Sequence, residues 1–80
     1  MSKDEIKINC LTDFQRAGVM LVTGGEYSVF LEHGLKLLKK LGDKKLIREY
    51  VRIKTMMKKG IDKKRAADKI LTLGVLAMGL

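Results

Sequence analysis

Glycine supplies all the strong punctuation in this chain. The sequence has no proline and no Ser/Gly/Pro-rich linker, so element boundaries are expected among Gly18, the Gly24-Gly25 pair, Gly34, Gly42, Gly60, Gly74 and Gly79. Breaks so close together, in a chain of 80 residues without an internal repeat, describe one small domain. A chain this short buries only about 60% of the surface its unfolded form exposes, which leaves a thin core and little room for an enclosed active site. Trp is absent and Phe and Tyr number two each, so Leu, Ile, Val and Met must fill that core. With 46% hydrophobic and 32% charged residues, the composition is that of a globular chain.

The N-terminal third reads as β. Ile6-Lys7-Ile8-Asn9-Cys10 alternates apolar with polar, the period of a half-buried strand. Val19–Val22 is a short apolar run, followed by Thr23-Gly24-Gly25-Glu26 and then by Tyr27–Phe30. Two glycines between β-formers suit a tight hairpin, because a type I′ turn needs positive φ at both central residues. A helix starting near Ser28 competes with the second arm.

Helical spacing takes over downstream. Leu31, Leu35 and Leu38 repeat at i, i+4 and i+7, and a helix is expected over Leu31–Leu41, with Lys39 and Lys40 near its C-terminus and Gly42 as its stop. Gly34 inside it either permits a close packing contact or marks a late start. Asp43 can cap a second helix, Lys44–Lys59, that gathers Leu46, Tyr50, Ile53 and Met57 on one face. A strand over Leu46–Val51 is the alternative for its first half. A third helix follows Asp62, with Ala66, Ile70 and Leu73 as its stripe. The expected fold is therefore α+β: an N-terminal hairpin or three-stranded sheet over residues 1–30, then two or three amphipathic helices over 31–80.

Charge is distributed unevenly along this frame. The net charge is +8, but Lys3, Lys7 and Arg16 are outnumbered by Asp4, Glu5, Asp13, Glu26 and Glu32 in residues 1–35. Residues 36–69 hold fourteen basic against four acidic side chains, and residues 70–80 hold no charge. A positive field confined to one segment is expected of a surface that meets a polyanion, although a Lys-rich solubilising face would look the same. The second helix places Lys44, Lys45, Arg48, Arg52 and Lys59 opposite its apolar face, and Lys63, Lys64 and Arg65 open the third, where free backbone N–H groups also favour an anion. Tyr50 is the only aromatic residue in the segment and maps to the apolar side, which argues for duplex backbone contacts over a single-strand stacking platform. Lys59–Leu71 has a helix-turn-helix outline, but the residues after Leu71 are nearly all apolar, so only the front of that last helix could face DNA.

Enzymatic chemistry finds little support. His33 is the only histidine and Cys10 the only cysteine, far apart in sequence; neither a disulfide nor a Cys-based metal site can close within the chain. Gly24-Gly25 lacks the flanking residues of a phosphate loop, and Met20, Met56, Met57 and Met78 read as core filler. No cofactor is expected.

Phe14-Gln15-Arg16-Ala17-Gly18-Val19 resembles the aromatic-x-Arg-Ala-Gly motif of small Mu-like prophage proteins, the FluMu N-terminal-domain family, over roughly residues 5–51. That resemblance implies a strand at Ile6–Cys10, a hairpin-like stretch at Val19–Phe30, a Leu-rich helix at Leu31–Leu41, a charged turn at Gly42–Lys45 and an apolar strand at Leu46–Val51. The usual proline before the last strand is missing, and the leucine spacing before Gly60 departs from the helix-extended-loop-helix module that follows in some members. The family implies a phage context and no activity.

Together these readings lead to a non-enzymatic, phage-type accessory protein that binds nucleic acid, duplex DNA in the first instance, through Lys44, Lys45, Arg48, Arg52, Lys59, Lys63, Lys64 and Arg65. The alternative is a protein-interaction module, a virion component or inhibitor of a host protein, that uses the apolar tail or a sheet edge, its charge serving solubility or an acidic partner surface. The tail Val75–Leu80, without a polar side chain, suggests a homodimer. At eleven residues Ile70–Leu80 falls short of the ~20 needed to span a bilayer, and the charged N-terminus lacks a signal-peptide run, so a cytoplasmic protein is expected, in the host if phage-encoded.

Overall fold

The computed structural model describes residues 2–79, which form four helices and no strand. These are α1 (Lys3–Thr23), α2 (Ser28–Leu41), α3 (Lys44–Lys58) and α4 (Lys63–Ala77). Connections of two to four residues make successive helices neighbours. α1 packs most extensively, against α4 on one side and α2 on the other, while α3 joins α4 and touches α2 less. Gly18 lies against Ala67 and Gly74 against Leu11, so α1 and α4 run antiparallel.

The α+β expectation is overturned: the segment read as a β-hairpin or three-stranded sheet is helical. The alternation at Ile6–Cys10 is a local coincidence within a longer helical pattern. Burial along α1 follows Cys10, Phe14, Ala17, Gly18 and Leu21, spaced at i, i+4, i+7, i+8 and i+11, while Ile8, which the strand would have turned inward, is 52% exposed. Ser2 starts the helix by accepting a hydrogen bond from the Glu5 N–H at 3.2 Å, and Asp4 and Glu5 occupy the first turn, where the helix dipole favours anions. The glycine pair ends α1. Gly24 takes φ +82°, and the Gly25 N–H donates to the Met20 carbonyl at 2.7 Å, as in a left-handed helix cap. A type I′ turn would need positive φ at Gly25 as well, and only Gly24 has it.

The strand that the prophage resemblance implies at Leu46–Val51 is likewise helix. Leu46 and Tyr50 are buried one turn apart while Val51 is exposed. Downstream, the helical spacing reads correctly, and α2 begins at Ser28, three residues ahead of Leu31.

Phe14 holds the four helices in register. Its side chain is fully buried, and its ring lies 6.3 Å from that of Tyr50 on α3, centroid to centroid. A Cβ built on Gly34 of α2 would stand 2.6 Å from Phe14 Cε1, and one on Gly74 of α4 would stand 3.2 Å from Phe14 Cβ. The ring thus occupies a notch that exists because position 34 has no side chain. Ala17 and Gly18 of the same motif are buried as well, and the Arg16 guanidinium sits 5.9 Å from the centre of the Phe30 ring. Packing accounts for the aromatic-x-Arg-Ala-Gly stretch residue by residue.

Two glycine substitutions separate packing from helix propensity. Gly34→Ala gains about 1 kcal/mol of propensity but forces Phe14 against Gly74 and Tyr50, at a cost of about 1–3 kcal/mol, and is expected to lower the thermal midpoint. Gly18→Ala brings a Cβ no closer than 3.5 Å to the Ala67 carbonyl oxygen, ordinary contact, and is expected to raise it. Far-UV circular dichroism melts of both variants check the order.

Candidate nucleic-acid interface

Two aspartates fix where the basic side chains stand. Asp43 Oδ1 accepts the Leu46 N–H at 3.2 Å and sets the start of α3, turning Leu46, Tyr50 and Ile53 inward. The residues half a turn away, Lys44, Lys45, Arg48 and Arg52, are exposed. Asp62 Oδ2 accepts the Arg65 N–H at 3.3 Å and starts α4, with Ala66, Ile70 and Leu73 inward and Lys63, Lys64 and Arg65 exposed. This cap qualifies one expectation: an N–H at the start of α4 is already held by a carboxylate, so the first turn is a poorer anion site than its sequence suggests.

The eight expected side chains do not form one patch. Arg52 and Arg65 line a groove of about 370 Å³ between α3 and α4, together with Lys69. Glu49 and Asp68 stand beside them, and Ile53, Met56, Leu73 and Leu76 supply the apolar surface. Lys59, Arg65 and Lys69 converge at the end of this groove around Gly60 and Ile61. By helical spacing, Lys44 and Arg48 continue the basic strip along the outward face of α3. Lys64 falls on the opposite flank of α4, beside α1. Lys69 was missed from sequence, although it follows Arg65 at i+4 and shares its side of the helix.

A second basic cluster was missed entirely. Arg16, His33, Lys36 and Lys40 line the groove between α1 and α2 with Asp13 as its carboxylate. Burial raises the Asp13 pKa above its ordinary value, with His33 and Arg16 pulling it the other way. Neither residue 16 nor residue 33 lies in the basic segment, so a charge count along the chain could not find this convergence.

These cations are scarcely neutralised from within. Arg52–Glu49, at 3.3 Å and exposed, is the sole ion pair among the described residues. An exposed pair of this kind contributes about 0–1 kcal/mol. The field of residues 36–69 therefore reaches solvent almost intact. The apolar tail is only partly absorbed: α4 runs to Ala77, which is buried, while Val75 and Leu76 remain exposed, Leu76 lining the α3–α4 groove. The last residue of the expected dimer segment, Leu80, lies outside the described residues.

Cys10 and His33 do not form a nucleophilic pair. The Cys10 thiol is fully buried and points to the Gly34 carbonyl oxygen at 3.7 Å, whereas His33 is exposed. Burial first, and the Asp13 charge second, push the Cys10 pKa up to about 12. Among the described residues no three His, Cys, Asp or Glu side chains are grouped to hold a metal ion, and no helix is long and apolar enough to cross a membrane. Because the thiolate is the reactive form, labelling of Cys10 by a water-soluble thiol reagent is expected to stay slow from neutral pH up to about pH 9 and to become rapid only when denaturant unfolds the chain. Fast labelling of the folded protein would contradict the burial.

Comparison with known proteins adds no relative: no family model, no curated protein and no solved structure matches the chain.

Proposed function

We propose that this is a non-enzymatic nucleic-acid-binding protein, of the phage accessory type that the Phe14–Gly18 motif suggests, that grips the phosphate backbone of duplex DNA. The observation that carries this reading is the positive strip formed by Lys44, Arg48, Arg52, Lys59, Arg65 and Lys69, of which Arg52 alone is ion-paired, to Glu49. Lysines and arginines free of carboxylate partners can exchange solvent counterions for phosphates, the step that drives sequence-independent binding. Lys45 and Lys63 flank the strip, whereas Lys64 stands apart on the α1 side and is assigned no contact. A helix pair joined by the turn Lys59–Asp62 lays these groups along two adjacent rods, which suits a backbone that runs past them. Apolar residues line α4 beyond Leu71, so phosphate contacts rather than base edges are the expected mode.

One observation favours a second reading. Ile53, Met56, Leu73 and Leu76 put an apolar surface beneath Arg52, Arg65 and Lys69, a combination that also fits an acidic amphipathic helix of another protein.

Fluorescence anisotropy of a labelled random-sequence duplex, titrated at several salt concentrations, decides between them. Binding is expected with a log K against log salt slope of about −4 or steeper. Arg48→Ala with Arg52→Ala is expected to weaken binding on the order of tenfold at low salt and to flatten the slope by about 2, with an unchanged circular dichroism spectrum. Absence of binding at low salt, or a double variant that binds as well as the parent, overturns the nucleic-acid reading and leaves the acidic helix.

A further inference from the structure

The flank formed by α1 and α4 differs from the rest of the molecule. Eight large hydrophobic side chains remain exposed among the described residues: Ile8, Val19, Val22, Val29, Val51, Leu71, Val75 and Leu76. Val19, Val22 and Leu71 line one groove, floored by Gly18 and Ala67 where the two helices approach closely. Helical spacing extends that strip toward the end of the bundle where α1 begins and the antiparallel α4 ends. Ile8 lies eleven residues, three turns, before Val19 on α1, and Val75 lies one turn beyond Leu71 on α4. Five of the eight thus gather on a single flank, and Val19, at 60%, is the most exposed of all.

Charge follows the opposite pattern. The groove's only charged lining residues are Lys64 and Asp68, one of each sign. The α3–α4 groove presents Arg52, Arg65 and Lys69, the α1–α2 groove presents Arg16, Lys36 and Lys40, and the outward face of α3 presents Lys44 and Arg48. Two chains of net charge +8 repel wherever such faces meet within about 8 Å, the screening distance at physiological salt. The α1–α4 flank is where that repulsion is weakest and apolar surface most concentrated.

We infer that the α1–α4 flank is a self-association surface whose occupant is a second copy of this chain. A two-fold pairing sets the same strip on itself, Val19 and Leu71 of one copy against the other's, and lets Lys64 of each copy meet Asp68 of its mate. A standard interface covers about 800 Å² on each partner, and one flank of a chain whose accessible surface totals 5310 Å² is of that order. This interface differs from the one the sequence suggested, because Val75 contributes one edge while Leu76 faces away into the α3–α4 groove. The inference does not depend on nucleic acid.

Analytical ultracentrifugation of the full chain over a wide concentration range tests it. The mass is expected to rise from 9.0 kDa toward twice that value with concentration, and to rise earlier at high salt, where repulsion is screened. Val19→Lys with Leu71→Lys is expected to raise the dissociation constant at least tenfold. Val29→Lys, at an exposed valine on α2, is expected to leave it unchanged. Should the double variant lose its helical circular dichroism, Val22→Lys alone serves, at another exposed position of the strip. A chain that stays monomeric at every concentration and salt overturns the inference, as does a dimer that survives the Val19 and Leu71 changes.

Discussion

The fold depends on one aromatic ring seated where a side chain is absent. Phe14 projects from α1 into the space that Gly34 leaves open on α2, with Gly74 of α4 behind it and Tyr50 of α3 beside it. One residue thereby contacts all three of the other helices. The other two aromatic residues, Tyr27 and Phe30, are only partly buried against this core, and the other large fully buried side chains are Leu31, Leu38 and Ile70. Gly34 would be unfavourable in a helix interior on propensity alone. Its presence makes sense only because it shapes the cavity for Phe14, and the same carbonyl receives the Cys10 thiol.

Drawing α1 into the centre has a consequence for the surface. With α1 pinned between α2 and α4, the core uses one narrow face of each helix, and the remaining faces sort by chemistry. Most basic side chains of α3 and of the front of α4, Lys64 excepted, point outward along the α3–α4 side, where Arg52 and Glu49 form the one ion pair among the described residues. The apolar excess of α1 and α4 emerges on another flank, where Lys64 and Asp68 balance. The basic strip of α3 and α4 and the apolar flank thus draw on different residues.

Much of the C-terminal half was legible in the sequence because its elements are short, amphipathic and capped. Asp43 and Asp62 sit where they accept backbone N–H groups, and Leu46, Tyr50, Ile53, Ala66, Ile70 and Leu73 are buried as their spacing requires. The N-terminal third was misread because α1 buries small residues. Ala17 and Gly18 carry little hydrophobic signal, so the stripe Cys10–Phe14–Ala17–Gly18–Leu21 looked weaker than the chance alternation at Ile6–Cys10. Gly24-Gly25 added to the error, because a positive-φ glycine ends a helix as readily as it turns a hairpin. The eight basic positions were found as exposed residues, but their partition over different grooves depends on how the helices pack. The convergence of Arg16 with Lys36 and Lys40 therefore emerged only from the tertiary structure, whereas Lys69 was legible from its i+4 spacing to Arg65.

The division of this bundle into a cationic side and an apolar flank underlies both proposed contacts. Its most direct test is an amide chemical-shift map of the labelled protein as a short duplex DNA is added. The expected perturbations run along Lys44, Arg48 and Arg52 of α3 and along Lys59, Arg65 and Lys69 around the turn, and leave Ile8, Val19 and Leu71 unmoved. Shifts confined to the α1–α4 flank, or no shifts at low salt, would contradict it.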